Sequence, residues 1–317
     1  METLLLTGDD YAALVPMHDA IDAVERAFAA YDAGRVTAGL LSAHAERGAF
    51  HIKTAILGDR FAAKLNANFP DNAPLPTIQG LLVLFDTVSG APLAVLDSME
   101  VTTQRTAAAT AVAAKHLARG DARSVTIYGC GQQAAAQLEA LACVRTLGRV
   151  HAVDRDAARA EAFAARMRSK LGIDVVIGAA PADLVVTCTT AREPFLRREH
   201  LAAGAFVAAV GADNPQKSEI DPALMRDAAI VADVLEQSAT IGDLRAAIAA
   251  GAMQREDVRA ELGAVVSGRA AGRRGDDEVI VFDSTGAGFQ DAAVAAVAYE
   301  RAIAAGRGAR LRFGRNG

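Results

Sequence analysis

The chain has 317 residues, 52% of them hydrophobic and 22% charged, with a formal net charge of −5. That length suits roughly two domains, and that composition excludes a disordered chain. The acidic balance argues against nucleic acid or an anionic membrane as the partner, and no apolar run approaches the about 18–20 residues of a membrane-spanning helix.

The first ten residues, Met1 to Asp10, lack a basic region ahead of their short apolar run, so no signal peptide is expected. Cys130, Cys143 and Cys188 form no C-x-x-C pair, which leaves a disulfide framework and a zinc site without support and points to the cytoplasm. Residues 17–33 carry Ile21, Val24, Phe28 and Tyr31 at helical spacing. From 36 to 97, apolar segments alternate with turn signals: Ala49–Leu57, Phe61–Phe69, Ile78–Phe85 and Pro92–Leu96. This predicts a mostly antiparallel sheet. Residues 99–119 are alanine-rich and predict a helix.

Beyond residue 123 the rhythm changes. Strand-like Ser124–Tyr128 precedes helical Gln132–Thr146, and strand-like Arg149–Val153 precedes helical Asp156–Leu171. Further strands are expected at Val175–Ile177, Leu184–Cys188, Ala205–Ala209, Ile230–Ala232 and Val279–Phe282. Alternation of strand and helix implies a parallel sheet covered on both faces. The last helix, Gln290–Ala304, is expected to leave this sheet and pack on the N-terminal region. The tail, with Arg307, Arg310, Arg312 and Arg315, reads as a frayed or interface-bound terminus.

The sharpest motif is Gly129-Cys130-Gly131-Gln132-Gln133-Ala134, a G-x-G-x-x-A turn between a strand and a helix. Gly129 permits the tight turn, Gly131 leaves room for a diphosphate, and Ala134 lets the helix pack on the sheet. The helix N-terminus favours the diphosphate charge. The next strand ends at Asp154, 25 residues after Gly129, where a carboxylate can accept from both ribose hydroxyls. That favours NAD, while Arg155 and Arg159 beside it keep NADP open. An empty strand–turn–helix is the plain alternative.

Ligands of such sheets bind beyond the carboxyl ends of the strands. Thr189, Thr190, Gly211, Asp213, Asn214, Ser284, Thr285 and Gly286 follow strands and are candidates, although ordinary turn chemistry explains any one of them. Asp213 is the best acid/base candidate here, with an Asx-turn as its alternative; Lys217 reads as a solvated loop lysine. Only five lysines stand against 28 arginines, so arginine is the default surface cation and each lysine is a candidate for chemistry that arginine cannot perform. Lys53 and Lys64 lie in strand-like segments and would suit a substrate carboxylate, unless they are edge-strand lysines facing water. Arg105, read as lying near a helix N-terminus, opposes the dipole and suggests an anion to meet. The six histidines are scattered and no metal pattern appears; His51 is the one nearest the candidate site.

These residues carry a resemblance. Lys64-Leu65-Asn66-Ala67-Asn68-Phe69-Pro70, Leu75 to Gly80, Leu84-Phe85-Asp86, Arg105 to Ala108, the glycine turn, Val210 to Asp213 with Lys217, and Phe282 to Gly286 with Gln290-Asp291 resemble the ornithine cyclodeaminase/mu-crystallin family. The resemblance implies an α/β chain with a central Rossmann-type doubly wound parallel sheet (117–287). A mostly antiparallel α+β substrate and dimerisation domain (1–116 with 288–317) accompanies it, in a homodimer. It implies hydride transfer between an amino-acid Cα and nicotinamide. Lys64 would act at the substrate α-carbon, Arg105 would hold the carboxylate, and Asp213 would be an acid/base. Thr106 would lie near cofactor phosphate, Thr77, Thr187 and Ser284 would line the cofactor, and Val210 and Thr189 would border it. The family's arginine on the strand before the first sheet turn is absent around Ala38 to Ala43, where Lys53 is its expected substitute. No acidic reader of a distal amine stands near His51.

The expected function is an NAD(P)-dependent oxidoreductase acting on the C–N bond of a small α-imino or α-amino acid. The alternatives are an ornithine cyclodeaminase, a lyase that recycles NAD, and a nucleotide-dependent small-ligand binder.

Overall fold

The structure, a computed structural model, describes residues 2–312 and divides into two compact units, Met1–Arg105 with Ala287–Gly317, and Thr106–Gly286. The first unit opens with β1 (Glu2–Leu6), α1 (Gly8–Leu14) and α2 (Met17–Asp32). Neither β1 nor α1 is among the elements expected from sequence. Thr7 starts α1 with a capping box: its hydroxyl accepts from the Asp10 backbone and the Asp10 carboxylate accepts from the Thr7 backbone. The buried stripe of α2, Ile21, Val24, Ala27 and Phe28, follows the helical period.

Next come β2 (Val36–Ala45), β3 (Gly48–Leu57), β4 (Arg60–Asn68), β5 (Ile78–Asp86) and β6 (Pro92–Asp97). Then α3 (Ser98–Leu117) runs past the end of this unit, so the division falls inside the helix rather than after residue 116. Alanines 107, 108, 109, 111, 113 and 114 of α3 are fully buried, which accounts for their small size.

The second unit carries β7 (Val125–Tyr128), α4 (Gln132–Val144), β8 (Val150–Val153), α5 (Ala157–Leu171), β9 (Val175–Ile177) and β10 (Ala182–Thr187). It continues with β11 (Leu201–Ala209), α6 (Pro222–Asp227), β12 (Ala229–Ala232), α7 (Leu235–Ile241) and α8 (Asp243–Ala249). β13 (Ala260–Glu261), α9 (Leu262–Val266) and β14 (Ile280–Asp283) complete it. Its strands form one parallel sheet in the order β13-β12-β14-β11-β10-β7-β8-β9. Strand order therefore reverses between β7 and β10, the crevice where dinucleotides bind in doubly wound sheets. Strands buried on both faces explain the continuous apolar runs: β7, β12 and β14 are buried throughout.

The chain then returns to the first unit with α10 (Gly288–Ala305) and β15 (Ala309–Arg312). Helix α10 packs on α2, β3 and β4, and its alanines at 292, 293, 295, 298 and 302 are buried. Residues 309–312 are not frayed: β15 pairs antiparallel with β1, and Arg310 and Arg312 reach Glu2. Arg315 lies outside the described residues. The seven-stranded sheet runs β15-β1-β6-β5-β4-β3-β2, antiparallel except where β1 joins β6 in parallel.

One face of that sheet carries Leu4, Leu6, Ala55, Ala62, Leu82, Leu84, Ala94 and Leu96, all buried. On the other, cross-strand neighbours Leu41, Ile52, Leu65 and Leu81 form a continuous apolar row, and Leu41 is 61% and Leu81 57% exposed. Among the described residues no helix is long and apolar enough to cross a membrane.

Candidate functional site

The first unit gathers a buried ionic cluster. Register pairs Lys53 of β3 with Lys64 of β4, so both stand on the covered face of the sheet. Strand β4 is interior, not an edge, and Lys64 is 3% exposed; the alternative of a water-facing edge lysine fails for it. The Lys64 ammonium donates to Asp291 Oδ1 at 2.9 Å and to Thr102 Oγ1 at 3.1 Å. Arg105 Nε donates to the same Asp291 oxygen at 2.9 Å, and its Nη1 donates to Gln290 Oε1 at 3.0 Å.

Arg105 sits about two turns inside α3, because that helix begins at Ser98. The dipole fades within the first turn, so the dipole argument for Arg105 does not hold. What the guanidinium meets is Asp291, which the resemblance includes without giving it a role. Asp291 Oδ2 and Gln290 Nε2 are buried with no hydrogen-bond partner, which leaves an acceptor and a donor beside two cations.

Burial drives the Lys64 ammonium down to about 7, and the nearby Arg105 charge adds to this. Asp291 opposes the fall but does not cancel it. Burial pushes the Asp291 carboxyl up, yet the Lys64 and Arg105 charges outweigh it and hold it below its ordinary range. The cluster is therefore built to exchange a proton near neutrality and to receive an anion. Lys53 is half-buried; His51 is half-buried and its Nδ1 lies 3.0 Å from Ser42 Oγ. Thr77 is exposed just ahead of β5.

The second unit holds the glycine turn. Gly129 has φ +91°, and a Cβ there would fall 2.8 Å from the Cys188 carbonyl oxygen, so both conformation and space demand glycine. Gly131 precedes α4, and a Cβ on it would meet nothing within 4 Å. No side chain caps α4, so its first N–H groups face an open cradle. Gln132 is exposed, Gln133 half-buried, and Ala134 fully buried against the sheet. The Asp154 carboxylate accepts from Cys130 N at 2.8 Å and from Asp156 N at 2.9 Å, fastening the turn to the end of β8. Arg155 beside it is exposed. An open cradle at an uncapped helix, flanked by a carboxylate on the next strand, fits a dinucleotide diphosphate and ribose.

The other strand ends are tied together. Thr187 is fully buried at the end of β10, and Val210 N donates to its carbonyl at 3.0 Å. Glu219 Oε1 accepts from Thr189 N and Thr189 Oγ1, each at 2.7 Å. Ser284 Oγ lies 3.3 Å from Asp233 Oδ2, which also accepts from Gly286 N at 2.6 Å. Thr106 is buried on α3. Asp213 is exposed and pairs with Lys217 at 2.8 Å; Lys217 is mostly covered, not a solvated lysine. Among the described residues no group of three or more His, Cys, Asp or Glu side chains could hold a metal.

The cofactor turn and the Lys53–Lys64–Arg105 set are legible from sequence. Glu219 and Asp233 are not, and Gln290 and Asp291 enter only through the resemblance, without a role. The one local hint is at Asp291, an acid inside a mostly apolar alanine helix.

Comparison with known proteins agrees with this geometry. The profile of the ornithine cyclodeaminase/mu-crystallin family matches residues 1–306. The chain is 37% identical to an alanine dehydrogenase of Archaeoglobus fulgidus over 99% of both chains. Among solved structures, an archaeal alanine dehydrogenase dimer with bound NAD superposes with a TM-score of 0.96, at 37% identity over 99% of this chain and 100% of that one. The Δ1-pyrroline-2-carboxylate reductase of Thermococcus litoralis, in complex with NADH and L-proline, superposes with a TM-score of 0.94, at 31% identity over 98% of this chain and 100% of that one.

Proposed function

The chain belongs to the ornithine cyclodeaminase/mu-crystallin family, and from that premise we propose that it is an NAD-dependent oxidoreductase of a small α-imino or α-amino acid, working in the cytoplasm as a homodimer. The observation that carries the reading is the buried set in which Lys64 and Arg105 share one oxygen of Asp291. Two buried cations converging on one carboxylate suit the recognition of a substrate carboxylate, since charge-assisted bonds in a dry site fix orientation strongly.

In this reading Lys53, Lys64 and Arg105 hold the substrate carboxylate. The Lys64 amine, near 7, is matched to moving a proton at the substrate nitrogen or α-carbon at neutral pH. Asp213 is a second acid/base group on the loop after β11. Gly129, Gly131, Gln132 and Gln133 cradle the diphosphate. Asp154 takes the ribose hydroxyls, with Arg155 at its side. Thr106 lies near phosphate, and Thr77, Thr187, Thr189, Val210 and Ser284 border the rest of the dinucleotide. When bound, NAD(H) supplies the hydride donor or acceptor. The apolar row Leu41–Ile52–Leu65–Leu81 supports the homodimer, because exposed apolar patches of this kind mark association surfaces.

The test is oxidation of NADH and of NADPH with Δ1-pyrroline-2-carboxylate, Δ1-piperideine-2-carboxylate, and pyruvate with ammonia or methylamine. Turnover of any of these with NADH is expected. Silence across the panel with bound cofactor, or ammonia and proline from ornithine under catalytic NAD without NADH build-up, would overturn the reading in favour of a binder or a cyclodeaminase respectively.

A further inference from the structure

Glu219 lies beyond β11, fully buried, in a chain of carboxylates that stitches together the loops at the carboxyl ends of four strands. Its Oε1 accepts from Thr189 N and Oγ1 after β10, and its Oε2 accepts from Gly211 N at 3.0 Å after β11. A Cβ at position 211 would fall 2.5 Å from the Glu219 carboxylate, so glycine there is the condition for this contact. Glu219 is itself held on both sides. Its carbonyl accepts from Phe195 N and Leu196 N, and its N–H donates to Asp243 Oδ1 at 2.7 Å. Asp243 N and Leu244 N in turn donate to the Asp283 carboxylate. The Asp283 carbonyl accepts from Asp233 N, and the Asp233 carboxylate takes Thr285 Oγ1 and Gly286 N.

The sheet order tells which part of a dinucleotide these loops serve. The glycine turn follows β7 and Asp154 follows β8, so the diphosphate and adenosine lie toward β8. The nicotinamide half then runs toward β10, β11 and β14, whose loops the carboxylate chain binds together.

We propose that Glu219 is the positioning residue of the nicotinamide-side loops, holding Thr189 and Gly211 at the spacing on which binding of the nicotinamide half depends. This rests on the dinucleotide reading above. A carboxylate is the group that can serve both loops, because it accepts with both oxygens. In Glu219→Gln an amide NH2 faces an N–H donor on one side, and a buried donor loses its acceptor.

The experiment measures NADH and ADP-ribose affinity of the full chain by calorimetry, for wild type and Glu219→Gln. NADH binding is expected to weaken at least ~10-fold, while ADP-ribose, which lacks nicotinamide, stays within ~2-fold. Equal weakening of both ligands, or no change in either, overturns the role. If Glu219→Gln does not fold, Glu219→Asp, which keeps the charge but is too short to span both loops, is read by the same split. A wild-type protein that binds no NADH overturns the dinucleotide reading, and this role with it. Wild-type NADH binding with an unchanged variant overturns the role alone.

Discussion

Replacing Asp291 by Asn removes one charge and almost no volume. The wild-type carboxylate receives two charge-assisted bonds of 2.9 Å on one oxygen. At an effective dielectric near 20, unit charges about 3 Å apart attract by roughly 5–6 kcal/mol, most of it offset by desolvation. What is measurable is the cost of leaving buried cations unpaired, about 3–5 kcal/mol of stability. The sharper readout is the Lys64 amine. Asp291 is the charge that raises it, against burial, Arg105 and Lys53. A charged hydrogen bond of about 1.5–3 kcal/mol is worth roughly 1–2 pKa units. The Lys64 group should therefore fall from about 7 by that amount in Asp291→Asn. The assay is kcat/KM for NADH-dependent imino-acid reduction against pH. The limb near neutrality is expected to move roughly 1–2 pH units toward acid, by the same conversion. A limb that stays near 7 would refute Lys64 as the titrating group. Stability carries the same sign. Lys64 is depressed from 10.5 to about 7, so its contribution is complete above the unfolded value and is lost as pH falls toward 7.

Three further outcomes are expected. Gly131→Ala should leave the melting temperature nearly unchanged, because the new Cβ meets nothing and φ is −82°, yet weaken NADH binding at least ~10-fold; calorimetry beside a thermal melt checks both. Asp154→Asn should lower the ratio of kcat/KM for NADH over NADPH at least ~10-fold, and an unchanged ratio would remove Asp154 as cofactor selector. Leu65→Asp combined with Leu81→Asp should convert a dimer to a monomer in light scattering, since both leucines lie in the exposed apolar row.

Local signals carry the elements that are legible. The strands of the first unit announce themselves through alternation and through Gly58-Asp59, Pro70-Asp71 and Ser89-Gly90, and the structure has β3 to β6 there. The glycine turn is legible because one short segment contains the strand, the turn and the helix. Strand β1 is not: five residues with no turn partner nearby find their pairing only with β6 and β15, far along the chain. The same holds for the site. Lys64 stands 227 residues from Asp291, and Arg105 stands 186 from it, so no spacing rule links them. Glu219 follows Lys217 and Ser218 in what reads as a polar surface loop. Only the folded sheet reveals that its carboxylate points inward.

The discontinuity of the first unit bears on how the protein is made. Its sheet strands leave the ribosome early, but α10, which covers them and brings Asp291 to Lys64, is separated from Arg105 by the whole of the second unit. At about 5–20 residues per second, residues 106–286 take roughly 10–40 s to synthesise. Through that interval the nascent chain lacks the helix that covers β3 and β4, and the carboxylate that pairs Lys64 and Arg105 has not been translated. The ionic cluster thus works as a check on completeness: a chain truncated anywhere before α10 cannot assemble it.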